Sequence, residues 1–401
     1  VRRLFGGLPP EVMVLSAVAF AVALGFGVLA PVIPLFAESF GVGAAASGAV
    51  ISAFALTRLA FALSGGRLVD RFGERSILAL GVGIVAVSSA VAGLSQTYAQ
   101  LVALRGIGGV GSAMFTVSSM SLLLRVVPDD LRGRAAGLYQ GGFILGGISG
   151  PALAGPFSAW SLRAPFFFYA GTLAVAGGIA VAYLSHVSLR ERSGAAPAEA
   201  TRMRVGDALR NRAYSTALFA NFATGWVAFG VRASLIPLFV TEGLDKGLGV
   251  ASIGFTISAA VQALLLLPAG RLADQRGRRL TLSLGMALST VSLLLLTFEE
   301  TVPGFFVAMA FFGAGFGLVS PASGAVVGDI VRGRGGSVVA AYQMAADVGS
   351  ITGPLLAGWL VDEVSYPAAF GTAAIIVAIS ALLATTLPET RRSARPSAPA
   401  P

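Results

Sequence analysis

Twelve apolar runs, each about one membrane crossing long, limit what this chain can fold into. They fall at 12–36, 44–66, 76–95, 100–126, 135–156, 164–184, 214–239, 250–270, 280–297, 303–327, 338–360 and 367–387. Inside a bilayer there is no water to satisfy peptide groups, so a run of about 20 apolar residues must close its own hydrogen bonds as a helix. Charged residues are only 12% of the chain, about half of what a soluble protein carries. The expected fold is an all-α integral membrane protein of twelve transmembrane helices.

The net charge of +9 raises nucleic acid as a partner, but the placement of the charge argues for topology instead. All but five of the 28 Lys and Arg fall in the N-terminus, alternate loops and the C-terminus. The exceptions are Arg163 and Lys246 in the opposite loops, and Arg58, Arg105 and Arg232 within spans, Arg125 at the very end of its run being counted with the loop that follows. By the positive-inside rule both termini are expected in the cytoplasm of a prokaryotic cell, with the chain in the cytoplasmic membrane. The early Arg2 and Arg3 precede an apolar run too long for a signal-peptide core, so it is read as a retained first helix. The partners expected are the lipid bilayer, a small-molecule substrate and protons, not nucleic acid, with the monomer as working unit. There is no cysteine, and the single histidine, His186, lies in the central loop. No Cys or His metal centre, no cofactor and no catalytic constellation is expected.

A charged motif occurs twice. Gly66-Arg67-Leu68-Val69-Asp70-Arg71-Phe72-Gly73-Glu74-Arg75 reappears 204 residues later as Gly270-Arg271-Leu272-Ala273-Asp274-Gln275-Arg276-Gly277-Arg278-Arg279. Other pairs keep offsets of 200–204: Ile33-Pro34-Leu35-Phe36 with Ile236-Pro237-Leu238-Phe239, Glu38 with Glu242, Arg132-Gly133-Arg134 with Arg332-Gly333-Arg334, Tyr139-Gln140 with Tyr342-Gln343, and Gly150-Pro151 with Gly353-Pro354. The halves run in the same direction, which makes them parallel repeats about an axis along the membrane normal. The expected division is a six-helix bundle over 1–184, a cytoplasmic linker over 185–213 with a short surface helix at 205–212, a second bundle over 214–387, and a disordered tail over 388–401.

On these residues the chain resembles the major facilitator superfamily over nearly its whole length. The loop motif is that superfamily's signature. In the fifth helix, Gly137, Gly146 and Gly150-Pro151 resemble the motif of the drug–proton antiporter branch, although Ala154 stands where that motif has glycine. The resemblance implies alternating access, with proton-coupled efflux of small amphipathic compounds as the first reading. It also implies that Asp70 and Asp274 serve a cytoplasmic gate with Gly66, Arg71, Gly73, Gly270 and Gly277, and that Arg105 takes part in proton transfer. Pro151 would add a bend that seals a proton leak. The bland reading of Gly142, Gly146 and Gly150 is close helix contact. The same holds for the run from Gly106 to Gly111, which fits a dinucleotide fingerprint but has no strand before it.

One departure from the family pattern concerns charge. Glu74 stands where the family has Arg, and Arg125 where it has an acid, while Arg278 and Asp329 keep the usual signs. The reading is a charge-swapped pair joining helices two and four; the alternative is two unrelated exposed side chains.

Charges within spans are costly unless paired or facing water. Asp347 is the acidic residue placed deep in a span, and it can take up a proton. It is read as the coupling site or as a binder of cationic substrate, against a purely structural ion pair with an Arg. Arg58 and its repeat mate Gln262 are expected to line the cavity, and Arg232 to extend toward the outer membrane edge. Phe26, Met114, Asn221, Trp226, Tyr139, Gln140, Tyr342 and Gln343 are further cavity candidates. The second reading is a carrier of organic anions, favoured by three intramembrane arginines against one carboxylate; a sugar carrier is weaker. A non-transporting membrane sensor is the remote third.

Overall fold

The computed structural model describes residues 8–127, 131–184, 205–330 and 336–389. Most of the 185–213 linker and nearly all of the tail lie outside these residues. The described residues form twelve long helices. In the first half these are α1 (Pro10–Glu38), α2 (Ala44–Phe72), α3 (Glu74–Gly93), α4 (Tyr98–Val126), α5 (Arg132–Trp160) and α6 (Ala164–Leu184). In the second they are α7 (Arg212–Gly243), α8 (Leu248–Gln275), α9 (Arg278–Phe298), α10 (Val302–Ile330), α11 (Gly336–Glu363) and α12 (Tyr366–Thr385). Eleven are apolar and long enough to cross a membrane by length and composition. The other, α5, has 29 residues, about 43 Å of helix.

Before α7 lies a short helix, Val205–Leu209, and α7 then starts at Arg212, two residues earlier than its apolar run suggests. Asn211 caps it, accepting from Ala213 N at 3.0 Å.

Two helices are irregular for reasons written in the sequence. In α1 a 3-10 turn over Ala30–Val32 contains Pro31 and is followed by Pro34, whose missing N–H groups break the ladder. In α7 the repeat-related stretch is π-helical over Trp226–Leu235, ahead of Pro237. The turns after α2 and α8 rest on Gly73 (φ 81) and Gly277 (φ 112). These angles favour glycine, which explains why both copies of the motif keep it at that place.

Within the first half α1 packs on α5 and α6, and α3 on α4 and α6. Within the second, α7 packs on α11, and α9 on α10 and α12. The halves meet along α2 with α11 and α5 with α8. Small residues set these approaches. A Cβ on Gly150 would lie 2.6 Å from Gly27 Cα, and one on Gly353 would lie 2.9 Å from Trp226 O. Between the halves, a Cβ on Gly358 would lie 2.6 Å from Ala45 Cα, and one on Gly155 2.9 Å from Ser252.

Gly150→Ala should force α1 and α5 apart and destabilise the protein by about 1–3 kcal/mol. Thermal unfolding in detergent would show this as earlier melting. Gly137→Ala is the comparison, because nothing lies within 4 Å of its Cβ position; it should melt at or slightly above the parent.

Candidate functional site: a cavity between the two halves

The main cavity has a volume of about 250 Å³ and is lined by both halves. Phe26 of α1, Phe54 and Arg58 of α2, Arg105 of α4 and Tyr169 of α6 meet Phe229 of α7 and Ser350 of α11 there. A second cavity of about 170 Å³ shares Phe26 and Phe229 and adds Arg232 and Phe255. Phe26 and Phe229 stand 203 positions apart, so they are repeat mates. Their ring centroids lie 6.4 Å apart, and both line both cavities. Phe26 also stacks on Phe54 at 6.2 Å and meets Tyr169 edge-on at 6.2 Å.

Arg58 pairs with Asp347 across the α2–α11 seam, its Nη2 donating to Asp347 Oδ1. The partners are 35% and 15% exposed, so the pair is not sealed in the core, and Arg58 lines the main cavity. Asp347 is thus held by an arginine from the opposite half. Arg105 is buried, 2% exposed, with its guanidinium 4.4 Å from the Phe54 ring centroid. Arg232 turns into the bundle, over Phe255 at 5.6 Å and Phe312 at 5.9 Å. This corrects the expectation that it extends to the membrane edge: aromatic faces inside offer the cation an alternative to snorkelling.

Of the cavity candidates, Phe26 and Arg58 line the main cavity, as does Arg105. The others lie elsewhere. Met114 packs with Val69 and Ile77. Trp226 is buried near Phe222, centroids 6.0 Å apart. Asn221 Nδ2 donates to Tyr342 O at 2.7 Å, and the Tyr342 hydroxyl donates to Ser323 Oγ at 2.9 Å. Tyr139 is buried against Phe143. Gln140 and Gln343 are exposed in the third turns of α5 and α11, and Gln262 lines neither cavity. Phe54, Tyr169 and Phe229 were missed by sequence reasoning. Phe229 was within reach of it through the repeat register.

At the ends bearing the basic loops, Arg125 Nη1 donates to Glu74 Oε2 at 2.9 Å, and Ser121 Oγ donates to Glu74 Oε1 at 3.2 Å. Glu74 opens α3, so this pair joins helices three and four rather than two and four: Gly73 ends α2 one residue earlier. In the second half Arg278 donates to Asp274 at 2.6 Å, to Asp329 at 3.3 Å and to the Ala273 carbonyl at 2.6 Å. The Asp70 side chain lies outside the described residues.

At the opposite ends, Asp362 of α11 accepts from Ala44 N at 2.8 Å and Ala45 N at 2.9 Å, capping α2 from the other half. Nearby the Tyr366 hydroxyl donates to Glu242 at 2.5 Å. Farther along the seam Ser52 Oγ donates to Ile351 O at 2.7 Å. Among the described residues no group of three or more His, Asp or Glu side chains could hold a metal ion.

This geometry has known counterparts. A sequence model of the Major Facilitator Superfamily matches residues 15–260 and 217–401. The chain belongs to that superfamily. It is 26% identical over 377 residues to Multidrug resistance protein 1 of Bacillus subtilis (strain 168), covering 92% of this chain and 94% of the relative. It is 23% identical over 357 residues to Quinolone resistance protein NorA of Staphylococcus aureus (strain COL), covering 88% and 90%. Among solved structures, a bacterial homologue of the human lysosomal transporter Spinster, inward-facing and unoccupied, superposes with a TM-score of 0.78 at 15% identity, covering 96% of this chain and 98% of that one. The protein is therefore a multi-pass membrane transporter of the major facilitator fold.

Glu74→Arg should lose the α3–α4 tie and destabilise the first half by roughly 1.5–3 kcal/mol, the range for a charge-assisted hydrogen bond. Adding Arg125→Glu should restore most of it. A double variant no more stable than Glu74→Arg would mean the two side chains act independently.

Proposed function

We propose that this protein exports small amphipathic compounds across the cytoplasmic membrane in exchange for protons, as a monomer with both termini in the cytoplasm. The single observation carrying this reading is the Arg58–Asp347 pair, which joins α2 to α11 beside the cavity. An ionised Asp347 holds Arg58 and adds an attraction between the halves. A protonated Asp347 gives that attraction up, and the seam loses a charge-assisted contact. One proton thereby biases the equilibrium between two arrangements of the halves, as exchange transport requires.

The relatives support the choice of cargo, since those named above are described as multidrug and quinolone resistance proteins. The cavity wall suits such compounds: mostly aromatic and aliphatic, with a few polar groups to orient a ligand. The named contacts between the halves lie at mid-height and toward the ends away from the basic loops. We read this as the state closed on the outer side. Asp274 with Arg278, and Asp70 by repeat symmetry, would then form the latch on the cytoplasmic side once that side closes, each carboxylate gaining from a helix N-terminus of the other half.

The test uses inverted membrane vesicles energised to an acid interior, with internal pH followed by dye fluorescence as compounds are added. Transported amphiphiles should release protons in the wild type, and Asp347→Asn should abolish the release. Proton release that persists in Asp347→Asn would remove Asp347 from the coupling step.

A further inference from the structure

Arg105 occupies an unusual position among the charges of the cavity. Arg58 has Asp347, so that pair is neutral as a unit. Arg105 has no such partner among the described residues. Its Nε is buried and meets no hydrogen-bond acceptor. Its guanidinium rests on the Phe54 ring, which supports a cation through its face but satisfies none of its N–H donors. The side chain is 2% exposed and yet lines the main cavity. A buried guanidinium without a counter-ion or acceptor is costly, and it persists where something else supplies the charge.

We infer that Arg105 is the anion-binding group of this cavity, and that the preferred cargo is an aromatic amphiphile carrying a single carboxylate. The assignment rests on the transport reading above and narrows its substrate class. With the Arg58–Asp347 pair intact, the cavity carries one uncompensated positive charge, and one carboxylate neutralises it. Guanidinium and carboxylate also match in geometry, since the planar fork offers parallel N–H donors to two oxygens. The body of the ligand meets Phe26, Phe54, Tyr169 and Phe229, whose faces suit an aromatic ring. A volume of about 250 Å³ limits that body to a small ring system. A larger cargo would extend past Phe26 and Phe229, which line both cavities, into the second, where Arg232 supplies another cation.

The experiment measures binding and needs no proton gradient. The full chain in lipid nanodiscs is titrated with three tritiated probes of one shape: naphthalene-2-carboxylate, 2-naphthylmethanol and 2-naphthylmethylammonium. The carboxylate should bind about tenfold or more tightly than the alcohol, as one charge-assisted hydrogen bond allows, and the ammonium most weakly. In Arg105→Gln the carboxylate-to-alcohol ratio should fall to about one, and Arg105→Lys should restore part of it. A wild-type ratio near one, or an ammonium preference, overturns the inference without any variant having to fold. So does an Arg105→Gln protein that keeps the wild-type ratio. If the vesicles above show no proton exchange but the ratio holds, the exporter reading falls and the anion site stands. If the vesicles respond while the ratio is one, only the anion site falls.

Discussion

Glycine-lined contact between α1 and α5, and its repeat between α7 and α11, is the constraint on which the rest of the arrangement depends. In lipid the hydrophobic effect does not drive helices together, so association comes from close packing of backbone on backbone. Gly27 with Gly150 and Gly230 with Gly353 are repeat mates of each other, and each pair brings two helices nearly to backbone contact. With α1 and α7 drawn back against α5 and α11, Phe26 and Phe229 project from repeat-related places and meet between the halves. The cavity walls follow from that placement.

Polar groups follow the same logic. Several buried hydroxyls in each half return to carbonyls one turn back, as Ser16 does to Val12 and Ser350 to Ala346. Guanidinium groups are too large for that solution. Arg58 finds Asp347, while Arg105 and Arg232 find aromatic rings. Each of these ring contacts stays within one half, whereas the Arg58–Asp347 pair spans the halves beside the space open to a ligand.

Much of this could be read from the sequence, for particular reasons. The helices were legible because apolar runs in a membrane admit one regular solution. The Glu74–Arg125 contact was legible because its repeat counterpart carries the reversed charges at the same offsets. The cavity lining was less so. Apolar runs show where a helix lies but not which way it turns, and the rotation of each helix is set by its neighbours. Met114 and Trp226 were indistinguishable by type from Phe26 and Phe229, yet Met114 faces α2 and α3, and the Trp226 ring packs against Phe222 of its own helix. Gln262, the repeat mate of Arg58, lines neither cavity because the repeat places backbones alike without making both cavity faces alike. The helix joined by Glu74 was misjudged because the break at Gly73 lies inside a motif that reads as continuous.

Asp362 bears on how such a seam can part and reform. It holds Ala44 N and Ala45 N, the first amides of a helix, which lack partners within that helix in any state. Water can take the place of the carboxylate there without disturbing a single rung of α2. A fastening at mid-helix would have to be torn out of the ladder. One at the rim, where amides are already spare, opens into solvent and leaves both helices whole, ready to close again.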